Sequence, residues 1–199
     1  VKHPSLSADE TTLYFTATMP GGYGGRDIWM AKREKKNKPF SEPINLGPEI
    51  NTKGNEAFPY IHSNGNLYFS SDYHLGMGGL DIFVAEKGED EKWKISNLQY
   101  PINSAKDDFG AIYEGTKDKG FFTSNRRGGK GGDDIYSFML PPKLFSIEGF
   151  VKNEKTDGVI LGSKVKIMGD DGFTLEMKTE ADGSFKFKLK PEVDYVITA

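Results

Sequence analysis

The sequence predicts an all-β chain: a partial β-propeller of three four-stranded blades, the last lacking its outer strand, followed by a small antiparallel β-sandwich. Three observations predict it. First, an internal repeat recurs, Leu13-Tyr14-Phe15 to Leu67-Tyr68-Phe69 to Gly120-Phe121-Phe122, a spacing of 54 and then 53 residues. Second, each repeat breaks into short apolar runs separated by Gly, Asn and Asp turns, the pattern of propeller blades. Third, from Phe145 onward the pattern changes to alternating strands with Asp-Gly turns. That alternation marks strands with one buried and one solvated face.

The elements follow in order. In the middle repeat, residues 58–62 predict a first strand, Asn64-Gly65 a tight turn, and 67–71 a second strand. A Gly-rich loop at 76–79 leads to a third strand at 80–86, and 93–98 reads as the fourth. The runs around Leu67-Tyr68-Phe69 lack alternation, which suits strands covered on both faces, and place Phe69 and Phe122 in the core. The loop closes on a repeated motif: Gly24-Gly25-Arg26-Asp27-Ile28, Gly78-Gly79-Leu80-Asp81-Ile82 and Gly131-Gly132-Asp133-Asp134-Ile135. In each, glycine supplies backbone angles other residues resist, and Asp ties its carboxylate to turn N–H groups. A second marker repeats as NTKGNE at 51–56 and NSAKDD at 103–108.

In the third repeat, Leu140-Pro141-Pro142 replaces a fourth strand, because proline cannot sit in a central strand. Ring closure would complete this blade with a strand from the N-terminal end, leaving no open edge. The boundary therefore falls between 1–142, the C-terminal blades, and 143–199, a sandwich cut short. The latter carries strands at 147–151, 164–168, 173–179, 184–189 and from Tyr195, with turns at Asp157-Gly158, Asp170-Asp171-Gly172 and Asp182-Gly183. The chain begins and ends in mid-pattern and reads as a piece of a longer protein.

Composition narrows the function classes. The 26 Lys and Arg against 29 Asp and Glu leave a net charge of −3, too weak a field to draw nucleic acid. With no cysteine, disulfides, thiolate metal sites and thiol nucleophiles are excluded. No apolar run approaches the ~20 residues of a direct membrane span. His3, His62 and His74 are not paired at metal-ligand spacing. The adjacent carboxylates Asp107-Asp108, Asp133-Asp134 and Asp170-Asp171 would point to opposite faces of a strand. A glycosidase needs two carboxylates facing one another. No Gly-x-Ser-x-Gly elbow is present. The glycines at 128–132 lack the Lys-Ser/Thr that follows a phosphate loop. The basic run at 32–38 reads as a solvated hairpin tip. No catalytic, metal or cofactor site is expected.

Both halves carry a family resemblance. Residues 4–9 (PSLSAD) with Leu13-Tyr14-Phe15 and the three Gly-Gly-x-Asp-Ile motifs resemble the TolB-type, WD-like repeats of bacterial envelope proteins. Gly149-Phe150-Val151, Val165-Lys166-Ile167, Thr179 with Asp182-Gly183-Ser184-Phe185, and Tyr195 resemble the carboxypeptidase regulatory-like domain. This order is similar to that of Bacteroidetes OmpA-family envelope lipoproteins, among them the peptidoglycan-associated propeller component of the type IX secretion system. The resemblance implies a periplasmic, outer-membrane-associated scaffold whose partners are envelope proteins. It also implies that peptidoglycan is held only through a domain outside these residues.

Two functions remain in view. One is a non-catalytic binding scaffold, linking an envelope or secretion complex to peptidoglycan. The other is a propeller hydrolase of sialidase-like or peptidase-associated type, with its catalytic residues in missing blades. Ser7-Ala8-Asp9 opens like an Asp-box turn, but Thr11 stands where Gly should and no Trp follows. The scaffold is the better reading. Its candidate partner-binding residues are the differing tips of the repeated loops: Tyr23 and Arg26, His74 and Met77, then Arg126, Arg127 and Lys130. The last three read as a solvated basic loop, or as a contact for an acidic partner or glycan.

Overall fold

A computed structural model describes residues 1–88, 90–140, 145–191 and 193–199. These contain no helix; their sixteen strands pair antiparallel into five small sheets, none closed into a barrel. The chain divides into two compact units, Val1–Leu140 and Pro141–Ala199.

The first unit holds three repeated sheets. The first is β1 (Lys2–Leu6), β2 (Thr12–Ala17), β3 (Asp27–Lys32) and β4 (Ile44–Asn45), each beside the next. The second repeats that order with β5 (Glu56–Ile61), β6 (Leu67–Ser71), β7 (Asp81–Lys87) and β8 (Trp93–Asn97). The third has β9 (Asp108–Tyr113), β10 (Lys119–Ser124) and β11 (Asp134–Met139). The register is shared: Thr16 faces Ile28, Ser70 faces Ile82, and Thr123 faces Ile135. The expected break at Leu140-Pro141-Pro142 lies, beyond Leu140, outside the described residues.

The first strands β1, β5 and β9 run side by side. Each carries a register shift. At corresponding places in these strands, His3, Phe58 and Gly110 adopt left-handed backbone angles of 49°, 51° and 67°. Two of the three are not glycine, and such a residue costs about 1–2 kcal/mol. Ring stacking offsets it: His3 lies 3.8 Å from Phe58, and Phe58 lies 4.9 Å from Phe109.

Hydrophobic burial occurs mainly between sheets. Tyr14 and Ile28 of the first sheet pack with Leu67, Phe69, Phe83 and Ala85 of the second, roofed by Leu46 and Ile50. Ile82 of the second packs in the same way with Ala111 and Phe122 of the third, beside Leu98 and Ile102. Each junction is tied by one buried asparagine. Asn51 Nδ2 donates to the Ile28 carbonyl at 2.9 Å, and the Ile28 N–H donates to Asn51 Oδ1 at 2.7 Å. Asn103 holds Ile82 in the same way, at 2.8 Å in both directions. The side-chain amide thus acts as one more residue of a neighbouring strand.

The Gly-Gly pairs differ from expectation. None of Gly24, Gly25, Gly78 and Gly79 is left-handed; a Cβ on Gly24 would meet Thr52 O at 2.3 Å, and one on Gly78 would meet Lys106 O at 2.1 Å. Close approach of the next sheet's turn, not backbone angle, requires glycine there.

The second unit has a two-stranded sheet of β12 (Phe145–Phe150) and β15 (Ser184–Leu189). Its three-stranded sheet is ordered β14 (Thr174–Lys178), β13 (Lys164–Gly169), β16 (Tyr195–Thr198). Alternation along β13 buries Val165 and Ile167, which join Phe187 in the core. Gly172 and Gly183 turn with positive φ as their Asp-Gly pairs imply, whereas at Asp157-Gly158 the Asp takes the left-handed angle.

Phe69 is fully buried at a junction, whereas Phe121, two residues into β10, is 47% exposed. Phe69→Ala should cost about 3–5 kcal/mol by chemical denaturation. Phe121→Ala should cost about 0.5 kcal/mol.

Glu56 adds a pH-dependent contribution. Its carboxylate accepts from Thr52 N–H, Thr52 Oγ1 and Ser71 Oγ, yet burial pushes its pKa above the ordinary 4.5. A raised folded pKa means that folding favours the protonated form. The associated stability is fully present below the unfolded pKa and is lost as pH rises through the folded one. Denaturation of wild type and Glu56→Gln from pH 4 upward should show wild type losing stability relative to the variant across that window.

Candidate interaction surface

The three loops joining second to third strands are built on one design. Asp27 Oδ2 accepts the Tyr23 N–H at 2.7 Å; Asp81 Oδ2 accepts Met77 and Gly78 N–H at 2.7 and 2.9 Å; Asp134 Oδ2 accepts Lys130 and Gly131 N–H at 2.9 and 3.1 Å. Each repeated carboxylate therefore caps its own loop, as the sequence implies.

Hydrogen bonds join these loops into one row. The first loop donates from Gly25 N–H to Gly54 O in the turn before β5. That turn reaches the second loop through Asn55, whose N–H and Nδ2 both donate to Asp72. The second loop donates from Leu80 N–H to Asp107 in the turn before β9. Asp107 N–H donates to Asn125 Oδ1, and Asn125 Nδ2 returns a bond to Asp107 Oδ2. The amide–carboxylate pair has swapped sides between the junctions, Asn55–Asp72 becoming Asp107–Asn125, with the linkage kept.

The expected tip residues divide into two groups. Tyr23, Arg26, Met77, Arg127 and Lys130 are exposed along the row. His74 and Arg126 turn inward. His74 Nε2 lies 2.9 Å from Ile50 O; a carbonyl only accepts, so Nε2 carries the hydrogen. The ring packs against Phe69 and Phe83. Arg126 donates to Pro101 O at 2.8 Å, to Ile102 O, to Ser124 Oγ at 2.9 Å and to Asp108 at 2.5 Å. Its guanidinium also covers the Phe122 and Tyr136 rings.

The two inward residues do the same work from different positions. Ile50 and Ile102 each precede a clamping asparagine, and their carbonyls need a donor. His74 serves one, Arg126 the other. Arg126 also solves a length problem. Glu56 reaches Ser71 Oγ directly, but Asp108 is one methylene shorter, and Arg126 bridges it to Ser124. Reading Arg126 as a solvated loop residue is therefore corrected: it is an interior tie.

The sequence reading missed exposed apolar residues on the same row. Leu75 at the second loop's tip is 96% exposed, and Tyr73 and Tyr100 are exposed beside it and beside Pro101. The available signal was positional. Leu75 stands where the other repeats have Gly21 and Gly128, and Tyr73 where they have Met19 and Arg126.

The histidines are dispersed: His3 on the first strand's ring stack, His62 against Gly115 O, and His74 at Ile50. Among the described residues no group of three or more His, Cys, Asp or Glu is placed to hold a metal ion, and no helix is long and apolar enough to cross a membrane. No protein-family model matches this chain, and no curated protein matches it.

Arg126 and Arg127 are sequence neighbours with opposite structural roles. Arg126→Glu breaks a pair with fully buried Asp108 and should cost roughly 3–5 kcal/mol. Arg127→Glu, at an exposed site, should shift stability by only about 0.5 kcal/mol in the same denaturation assay.

Proposed function

We propose that this chain is a non-catalytic binding scaffold, its three sheets acting as propeller blades and its loop row capturing a partner protein. One observation carries the reading: a single continuous row whose frame repeats and whose tips differ. The repeated acidic and amide groups of that frame are engaged in capping loops and tying junctions. What projects is Tyr23, Tyr73, Leu75 and Met77, flanked by Arg26, Arg127 and Lys130. Contiguous exposed apolar groups with a charged rim mark protein-binding surfaces, and Tyr and Arg are enriched among residues that dominate binding energy.

The resemblance of both halves to Bacteroidetes envelope lipoproteins supports a periplasmic, outer-membrane-associated setting. In that setting the partner is an envelope protein, peptidoglycan is held by another domain, and the second unit, read as a sandwich, is a spacer.

The row can be disarmed without touching the frame. A Tyr23→Ser, Leu75→Ser, Met77→Ser triple variant should keep its melting temperature, since exposed substitutions shift stability by about 0.5 kcal/mol each. In crosslinking against a periplasmic fraction, it should capture at least about tenfold less envelope protein, a loss of ~1.4 kcal/mol. Undiminished capture by the folded triple variant would remove the loop row from the binding surface.

A further inference from the structure

The two junctions between sheets differ at one position. Pairing of first with second strands makes that position equivalent in the three sheets: Leu6 faces Leu13, Ile61 faces Leu67, and Tyr113 faces Gly120. At the junction of second and third sheets it is Tyr113, which is buried. The Tyr113 ring lies 4.6 Å from Tyr68 of the second sheet, 5.2 Å from His62 and 5.0 Å from Phe138. Those are the spacings of packed aromatic rings, ~4.5–7 Å between centroids. A p-hydroxyphenyl ring therefore closes that junction beside Tyr68.

At the junction of first and second sheets the same position is Ile61, and Tyr14 stands where Tyr68 does. Isoleucine is the smaller side chain, and a groove of about 390 Å³ opens there. That volume falls within the ~300–1,000 Å³ of ligand pockets. Both flanks are built, Tyr14 and Asp9 from the first sheet, Ile61, His62, Lys87 and Trp93 from the second. Tyr14 is only 9% exposed, and among the described residues its Oη has no hydrogen-bond partner. Burial raises its pKa above the ordinary 10, and no hydrogen bond offsets the rise. A buried tyrosine hydroxyl ordinarily finds a partner, and leaving one unpaired is costly. The charged groups beside it are engaged. Asp9 accepts from the Ser7 and Thr11 hydroxyls, and Lys87 pairs with Glu91 at 2.7 Å while lying over the Trp93 ring.

We infer that this groove binds a neutral phenol, whose ring takes at the first junction the space that Tyr113 takes at the second and whose hydroxyl bonds to Tyr14 Oη. The chain itself carries the analogue of the ligand, since Tyr113 fills the equivalent space beside the equivalent tyrosine. His62 packs edge-on against Tyr113 at the second junction and also lines this groove, where Trp93 adds a second aromatic surface. With Asp9 and Lys87 already engaged, nothing in the groove calls for an ionised ligand. The phenol is a small molecule or the tyrosine side chain of a partner protein. The groove opens beside the β1–β2 and β5–β6 turns, at the opposite strand ends from the loop row. It is a separate site and stands whether or not that row captures a partner.

The test titrates the full chain with p-cresol, the tyrosine side chain in isolation, and with toluene, which lacks the hydroxyl, read by amide chemical shifts in NMR. The expected result is saturable p-cresol binding with a Kd of about 1 mM, ordinary for so few atoms. Shifts should fall in residues 9–12 and 62–65 and not in 116–120. Toluene should bind at least about fivefold more weakly, having no hydrogen bond to make. Tyr14→Phe should keep its melting temperature, because the hydroxyl it loses has no partner, and should lower p-cresol affinity to that of toluene. Ile61→Tyr should fill the groove from within and weaken binding by at least about tenfold. A blocked Gly-Tyr-Gly tripeptide separates the two sources: binding tighter than p-cresol assigns the site to a partner's tyrosine, and binding no tighter assigns it to a free phenol. Absence of saturable shifts up to ~10 mM p-cresol, beyond the weak end of specific association, overturns the inference. So does equal affinity for toluene, unchanged p-cresol affinity in the folded Tyr14→Phe variant, or shifts centred away from the groove.

Discussion

One side-chain amide at each junction organises the first unit. A β-strand exposes backbone donors and acceptors along both edges, and a buried one left unpaired costs about 1–3 kcal/mol. At Ile28 and Ile82 the strand edge is covered by a turn rather than a regular strand. Asn51 and Asn103 supply both an acceptor and a donor from one planar group, matching the spacing of a peptide unit. Burial of Phe69, Ile82 and Phe122 between sheets depends on that match, because only a satisfied edge can be sealed from water.

Around this clamp the two junctions conserve roles while exchanging residues. Asn55–Asp72 and Asp107–Asn125 are the same pair with amide and carboxylate reversed. Glu56 is satisfied by hydroxyls and an N–H alone, whereas the shorter Asp108 takes a guanidinium. His74 and Arg126 approach equivalent carbonyls from positions one residue apart in their loops. The requirement is a donor at a point in space, and several side chains reach it.

The repeat, the strand content and the Asp caps were legible because they are local. Asp27, Asp81 and Asp134 each bond within a few residues of themselves, so motif and task coincide. Asn51 and Asn103 stood out as a recurring marker, but their partners lie more than twenty residues away across a junction, and spacing alone carries no trace of that pairing. The first two glycine pairs have ordinary φ angles, and crowding by Thr52 and Lys106, not turn geometry, excludes a side chain there. Arg126 looked solvated because its immediate neighbours are Arg, Gly and Lys. Its acceptors are Pro101 and Ile102 in the turn before β9 and Asp108 at the start of that strand. Direction, unlike composition, is a tertiary property.

The uneven cover on the sheets has a dynamic consequence. When most burial lies between neighbours, stability behaves as a chain of coupled segments rather than as one undivided core. Among the described residues the middle sheet is braced on both sides, the first by the second and by Phe40, and the third by the second. Opening one junction therefore exposes the groups that it seals while the other stays closed, and the middle sheet, which takes part in both, is the last to lose its protection. Such a fold comes apart junction by junction, so that the seals between sheets, more than the sheets themselves, set the size of each step.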